Sequence, residues 1–402
     1  MTRFQPNLRI PGPTALPPSV REAGAKQMIN HRGPEFAALL ERIVTGMRPY
    51  FGTAANDIVI LTCAGSGGLE AAAVNTLSPG DRVLAVTIGS FGDRFAKVAE
   101  VYGANVERLS IEWGEAVTPD ALRAALADLQ ARDGGDPKAV FLTHNETSTG
   151  VQNPIPELAA VVREVAPATL IEVDSISALG AVPFAMDEWG VDIVVTGSQK
   201  AWMAAPGLAM VAISKRGWEA TVAATTPRFY LDFERHRKDA ANGQTPWTPA
   251  VGVMFQVDEG LRLMAAEGQD GVFARHVACA AGTRAGLRAL GFELLADDAI
   301  ASRTVTAARI PDGLDWKAFN GDLKRDGLVL AGGQGHLTGK IFRVGHLGSV
   351  TLEEILGAMS VLEFASIAAG RDVRPGSAVS AAQVAAIESF GLAVPVAAGA
   401  TA

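Results

Sequence analysis

Lys200 closes the run Asp192-Ile193-Val194-Val195-Thr196-Gly197-Ser198-Gln199-Lys200, an apolar strand pattern that ends in a short polar turn. A lysine just past the carboxyl end of a buried strand sits where open α/β sheets bind ligands. The residues that follow, Ala201 to Gly207, carry no charge. Desolvation is therefore expected to lower the lysine pKa and leave an amine able to attack a carbonyl. A second apolar run, Thr169–Val173, ends on Asp174, 26 residues earlier. If the two strands lie close, amine and carboxylate stand roughly 5–10 Å apart, one or two strand spacings. That is the span of a pyridine ring with its aldehyde on the amine and its ring nitrogen on the carboxylate, a pairing that lets the ring accept electrons. Singly, the lysine could be a solvated loop residue and the aspartate a helix cap. The pair is what points to chemistry.

Two further groups fit an acidic ligand. After the strand-like Asp57–Leu61, the turn Gly65-Ser66-Gly67-Gly68 opens a helical pattern. Free N–H groups at a helix start, with glycines that let the backbone come close, can cradle an anion. The turn lacks both the Gly-Lys-Ser/Thr ending of a nucleotide loop and dinucleotide fingerprint spacing, and close packing alone would also explain it. Arg343 lies in Ile341-Phe342-Arg343-Val344. Between such neighbours a guanidinium must reach solvent or meet a carboxylate. Its planar fork suits the α-carboxylate of an amino or oxo acid, and an internal salt bridge would satisfy it equally.

The elements that must hold these groups alternate. Strand-like runs at Asp57–Leu61, Arg82–Ile88, Asn105–Ser110, Ala139–Thr143, Thr169–Val173, Asp192–Thr196 and Leu208–Ile213 are interleaved with helical stretches such as Gly68–Leu77, Arg94–Tyr102, Pro119–Gln130 and Pro156–Val165. Repeated βα units predict an α/β fold with a mostly parallel sheet covered on both faces. Thr225–Pro249 reads as loop. Beyond it come helices at Val251–Ala266, Val272–Ala289, Lys317–Asp326 and Leu352–Ala369, with strands at Phe292–Leu295, Thr304–Arg309 and Lys340–Val344. The expected division is an extended segment over the active site at 1–20, a large domain at 21–265, a smaller C-terminal α/β domain at 266–370, and an Ala/Val/Gly-rich tail at 371–402 with one helical candidate, Ser380–Phe390.

Composition narrows the classes. The 402 residues are 48% hydrophobic and 19% charged, with 35 Lys plus Arg against 43 Asp plus Glu, a net charge of −8. An acidic chain without a long basic run is a poor binder of nucleic acid or anionic membrane. Its two cysteines, Cys63 and Cys279, lie far apart, so neither a disulfide framework nor a thiolate metal site is expected. No apolar stretch reaches the length of a membrane span, and no signal-like core opens the chain. A cytoplasmic protein is expected.

The chain resembles the class V (fold-type I) aminotransferases that use pyridoxal 5′-phosphate (PLP), in particular the alanine–glyoxylate, serine–glyoxylate and serine–pyruvate group. The likeness runs from about Asn7 to Ala369. It rests on Pro11-Gly12-Pro13, Asn30 to Phe36, Gly65 to Ala71, His144 to Val151, Val173-Asp174-Ser175, Thr196 to Lys200 and Gly339 to His346. The resemblance implies a large PLP-binding domain, a smaller C-terminal one, and a homodimer with shared active sites. Lys200 would carry the cofactor as a Schiff base and shuttle the substrate α-proton, while Asp174 pairs with the ring nitrogen. Ser66, Gly67, Gly68 and Gln199 would hold the phosphate with Thr248 of the partner subunit. Thr147 would bond near the ring hydroxyl, and Phe91 would stack on the ring, although its residue type alone suggests core packing. Arg343 would take the substrate carboxylate, and the opening segment, with Pro13, would line the substrate pocket.

The implied reaction moves an amino group from alanine or serine, or from aspartate, to glyoxylate or pyruvate. Two departures stand out: Gly68 occupies a position where relatives often carry His, and the Thr245-Pro246-Trp247-Thr248 segment lacks a tyrosine that some relatives place three residues before the threonine. The rival within the class is a cysteine desulfurase-like lyase, which needs a cysteine on a mobile late loop. Neither Cys63, beside the glycine turn, nor Cys279, inside a helical run, suits that role.

Overall fold

The computed structural model describes residues 6–392. Thirteen strands occur in this span. They are β1 (Asn7–Arg9), β2 (Asp57–Leu61), β3 (Arg82–Thr87), β4 (Asn105–Ser110), β5 (Ala139–Thr143), β6 (Asn145–Glu146), β7 (Val151–Gln152), β8 (Leu170–Asp174), β9 (Ile193–Gly197), β10 (Ala209–Ile213), β11 (Val305–Arg309), β12 (Leu328–Gly332) and β13 (Ile341–Gly345).

Seven of them form one sheet in the order β2-β10-β9-β8-β5-β3-β4. All pairs are parallel except those of β10, which runs antiparallel to both its neighbours. The central strands β5, β8, β9 and β10 are buried along their whole length. Such a strand must be covered on both faces, and two apolar cores do this. One gathers Phe36, Ile43, Leu142, Val194 and Trp202, and the other Leu69, Phe95, Phe141, Val195 and Val211. Adjacent residues Val194 and Val195 point to opposite faces, as the two-residue period of a strand requires.

A second sheet, β1-β12-β13-β11, has its own core of Cys279, Phe292, Phe319, Phe342, Ile355, Met359 and Leu362. Its edge strand comes from the start of the chain, since β1 pairs parallel with β12, Asn7 opposite Leu328. Neither β1 nor β12 is expected from the local pattern. Phe292–Leu295, expected as a strand, makes only an isolated bridge between Leu294 and Ala308. The stretch read as loop contains the helix Phe233–Ala240, capped by the Asp232 carboxylate, which accepts from the N–H groups of Glu234 and Arg235. Pro18 begins the helix Pro18–Gly24, where its missing donor costs nothing. The tail helix spans Ser377–Ser389 and buries Ala378, Ala382 and Ala386. The last part of the expected tail, 393–402, lies outside the described residues.

Candidate active site

β8 and β9 are direct neighbours in parallel register, Asp174 opposite Val195. One strand spacing thus separates the end that carries Asp174 from the end whose turn carries Lys200. Both residues line a cavity of about 220 Å³ at the carboxyl edge of the sheet, together with Gly12, Gly65, Ser66, Phe91, Arg94, Asn145, Thr147, Ile176, Ser177 and Gln199. Of the expected site residues, the structure brings Ser66, Phe91, Thr147, Asp174, Gln199 and Lys200 to this one enclosure.

Lys200 Nζ donates to the Pro11 carbonyl at 2.7 Å. Thr14 continues the contact: its N–H donates to Gln199 O at 3.1 Å and its hydroxyl to Lys200 O at 3.0 Å. The residue of this segment on the cavity wall is Gly12, while Pro13 is exposed and outside the lining. A Cβ on Gly12 would stand 2.6 Å from Lys200 Nζ, on a backbone with φ +136. Only glycine fits there. Burial lowers the Lys200 pKa to about 8 against the pull of Asp174, and the charges of Arg343 and Arg94 lower it further.

Asp174 is 4% exposed. One oxygen accepts from the Ile176 N–H at 2.9 Å. Burial raises its pKa to about 7, and the nearby Glu146 carboxylate adds to the rise, while Lys200 and Arg94 oppose it. A buried carboxylate so perturbed is better satisfied by a cation with a proton to share, which is what a pyridinium nitrogen offers. Behind it, the neutral ring of His144, held by burial at a pKa of about 3, sits 3.0 Å from Ser175 Oγ.

Glu146 organises the cavity wall and is missing from the sequence-based assignments. The carboxylate is fully buried. One oxygen accepts from the N–H groups of Phe91 (3.0 Å) and Gly92 (3.1 Å), and the other from Ser148 N (3.0 Å) and Ser148 Oγ (2.6 Å). It thereby fixes the first turn of the helix Ser90–Val101 and with it Phe91.

The glycine turn begins the helix Gly65–Thr76, whose N-cap, Ala64, offers no side-chain acceptor. The N–H groups of Gly67 and Gly68 already donate to Ala64 O, at 2.8 and 3.3 Å, so those of Gly65 and Ser66 ahead of them are the ones a helix start leaves for a ligand. Gln199 brings a side-chain amide to the same cavity wall, and its NH₂ group is the part able to donate to an anion. The two later glycines answer to packing: a Cβ on Gly67 would meet Cys63 at 2.8 Å, and one on Gly68 would meet Val195 at 2.7 Å and Ala209 at 2.9 Å. Neither is on the cavity wall, and a histidine at 68 has no room. Thr248 is exposed and away from this cavity.

Arg343 is 6% exposed. Its Nε donates to Gly332 O at 2.9 Å and its Nη1 to Thr147 O at 2.8 Å, which ties it to the cavity through Thr147. The salt-bridge alternative finds no support, since this guanidinium makes no ion pair among the described residues. Burial lowers its pKa to about 10, and Glu146 partly offsets this. His346 is buried against Thr306 Oγ1 at 2.9 Å.

An amine and a buried carboxylate on neighbouring strand ends, with a helix start and the Ser66 hydroxyl on the same cavity wall, suit PLP, the group that the resemblance implies. Among the described residues no three His, Cys, Asp or Glu side chains come together as a metal site.

The aminotransferase class-V profile matches residues 12–346. The chain is 42% identical over 379 residues to a protein named soluble hydrogenase, small subunit, from Synechococcus sp. (strain PCC 6716), covering 93% of this chain and 97% of that one. It is 37% identical over 376 residues to the L-aspartate–glyoxylate aminotransferase of Paracoccus denitrificans, covering 93% and 94%. Its fold superposes on the crystal structure of pyridoxamine–pyruvate aminotransferase from Mesorhizobium loti with a TM-score of 0.89 and 31% identity, over 96% of this chain and 98% of the other.

Proposed function

We propose, on the premise that this chain belongs to the aminotransferase class-V family, that it moves the amino group of a small amino acid to a small 2-oxo acid. Alanine or serine is the favoured donor, with aspartate as a further one, and glyoxylate or pyruvate is the acceptor. The observation that carries this reading is the placement of Lys200 and Asp174 across one small cavity, with Arg343 held beside it by the Thr147 carbonyl. When bound, PLP supplies an aldehyde for amines and an electron-accepting ring that favours loss of the substrate α-proton.

The chain's own residues do the rest. Lys200 Nζ anchors the cofactor and, with a pKa of about 8, is poised to take the α-proton from one substrate and return it to the other. The Asp174 carboxylate holds the proton of the ring nitrogen. Arg343 has N–H groups left over from its two carbonyl bonds, and these would orient the carboxylate common to donor and acceptor. Phe91, pinned by Glu146, flanks the ring. Ser66, Gln199 and the start of the helix Gly65–Thr76 take the phosphate.

The lyase alternative fares poorly. Burial pushes both thiols up to about 12, the opposite of what a nucleophilic cysteine needs.

The active unit is a two-fold homodimer in this reading. Thr248 is exposed on its own chain and reaches a phosphate only across a subunit boundary, and light scattering against specific activity over a dilution series tests it. No helix among the described residues is long and apolar enough to cross a membrane. The cytoplasmic site of action is part of the proposal, supported by two distant cysteines and a net charge of −8. The substrate assignment is tested by converting the protein to its amino-loaded form and ranking 2-oxo acids by single-turnover rate. Glyoxylate and pyruvate should lead. A preference for long-chain or aromatic oxo acids, or no turnover with any, overturns it.

A further inference from the structure

We propose that Arg94 is the cation that neutralises the cofactor phosphate in this chain, an inference that rests on the PLP reading above and deepens it. Near neutral pH a phosphate monoester carries about −1.5 to −2 charges. The donors assigned to it here are all neutral: Ser66, Gln199, the backbone of the helix start, and Thr248 of the partner subunit. Position 68, where a histidine could have added polarity, is a glycine whose space is filled by Val195 and Ala209.

Among the described residues two cations line the cavity, Lys200 and Arg94. Lys200 gives its nitrogen to the covalent link and is turned toward Pro11 O, which leaves Arg94. Its Nη1 stands 3.3 Å from Ser66 Oγ, at the start of the helix where the phosphate is expected. The guanidinium lies 4.8 Å from the centroid of the Phe91 ring, a cation–π contact that steadies it. Its backbone belongs to the helix turn that Glu146 pins through Phe91 and Gly92. It makes no ion pair among the described residues, and its charge is felt at both Asp174 and Lys200. Arg94 is exposed, so the lack of an ion pair would by itself be ordinary; the contacts with Ser66 and Phe91 are what aim its guanidinium at the phosphate end of the cavity rather than beside Arg343.

The test compares PLP with pyridoxal, which lacks the phosphate, in equilibrium titrations of the apoprotein followed by visible absorbance. Arg94→Gln should weaken PLP binding roughly ten- to a hundred-fold while pyridoxal binding is unchanged. Arg94→Lys should recover part of the loss, because charge returns without the planar fork. Melting temperatures of the apoproteins, expected to match the parent, check that the fold is intact. Equal weakening of both ligands, or of neither, overturns the assignment. So does unchanged PLP affinity with a raised KM for aspartate alone, which would make Arg94 a receptor for a distal substrate carboxylate. A parent protein that captures neither ligand overturns the cofactor reading itself.

Discussion

Replacing Arg343 separates two duties, one that the structure shows and one that we propose. The guanidinium is almost wholly buried, and it bonds the carbonyl of Gly332 in the smaller lobe and that of Thr147 in the larger. Losing the side chain in Arg343→Ala strands both carbonyls, at about 1–3 kcal/mol for a buried group left unsatisfied, so the melting temperature falls. In the proposed reading it also removes a charge-assisted contact to the substrate carboxylate worth about 1.5–3 kcal/mol, a fall in kcat/KM of roughly ten- to more than a hundred-fold. Arg343→Lys keeps the charge without the fork and should recover only part of that loss.

The assay is the stopped-flow half-reaction, run with alanine and with ethylamine, which has no carboxylate. Alanine should slow by the full factor and ethylamine little, with the spectrum of the bound cofactor nearly unchanged, because in the proposed reading Lys200 and Asp174 set it. Equal slowing of both amines refutes the clamp. Normal kinetics in a protein that has merely lost stability would assign Arg343 to the lobe junction alone.

Three further outcomes follow from the same geometry. Because burial lowers the Lys200 pKa to about 8 and only the deprotonated amine attacks an aldehyde, apoprotein uptake of PLP should accelerate as pH rises through that value and level off above it. An inflection near 10.5 would contradict this. Gly68→Ala places a Cβ within 2.7 Å of Val195 and 2.9 Å of Ala209, both on strands that cannot retreat. A loss of about 1–3 kcal/mol is expected and a lower melting temperature should report it; an unchanged one refutes the packing role. In Glu146→Gln one carboxylate oxygen becomes an NH₂ group, so two of the four donors on Glu146 lose their acceptor. Stability should fall by about 2 kcal/mol or more and PLP affinity should fall with it. A variant that matches the parent in both measurements would mean the four bonds are dispensable.

Much of the site was legible because β8 and β9 are mostly apolar runs, broken only by Glu172 in β8, one ending on Asp174 and the other leading through the turn Ser198-Gln199 to Lys200. That the two strands touch is a matter of sheet order, which no local pattern encodes. Gly68 shows the ambiguity of glycine: close backbone approach to an anion and close approach to a sheet call for the same residue, and only the packed structure chooses. Glu146 was hidden for a related reason. A carboxylate inside a polar stretch looks solvated until the N–H groups that surround it, from residues 55 and 54 positions away, come into view. Arg94 begins a helical stretch whose polar face reads as solvent-facing, and the helix Phe233–Ala240 is charged enough to blur its own periodicity. β1 and β12 were missed because three to five residues without clear alternation become strands only when a distant partner supplies the other half of the ladder.

That distant partnership governs when the enzyme is finished. β1 leaves the ribosome first, yet the groups that hold it come near the end of the chain: Asn7 Nδ2 donates to Glu354 O, 347 positions away, and Arg9 pairs with Glu354 at 3.4 Å. The seven-stranded sheet, whose last strand ends at Ile213, can assemble well before either. Through that interval the opening segment has no edge to join, and the prolines at 11, 13, 17 and 18 keep it from pairing with the wrong one, since they lack backbone donors. Only when the late strands arrive does β1 dock and carry Pro11 and Gly12 over Lys200. Covering of the reactive amine therefore depends on a long-range closure, and a chain that stops before β12 is expected to leave Lys200 more open than one that includes it.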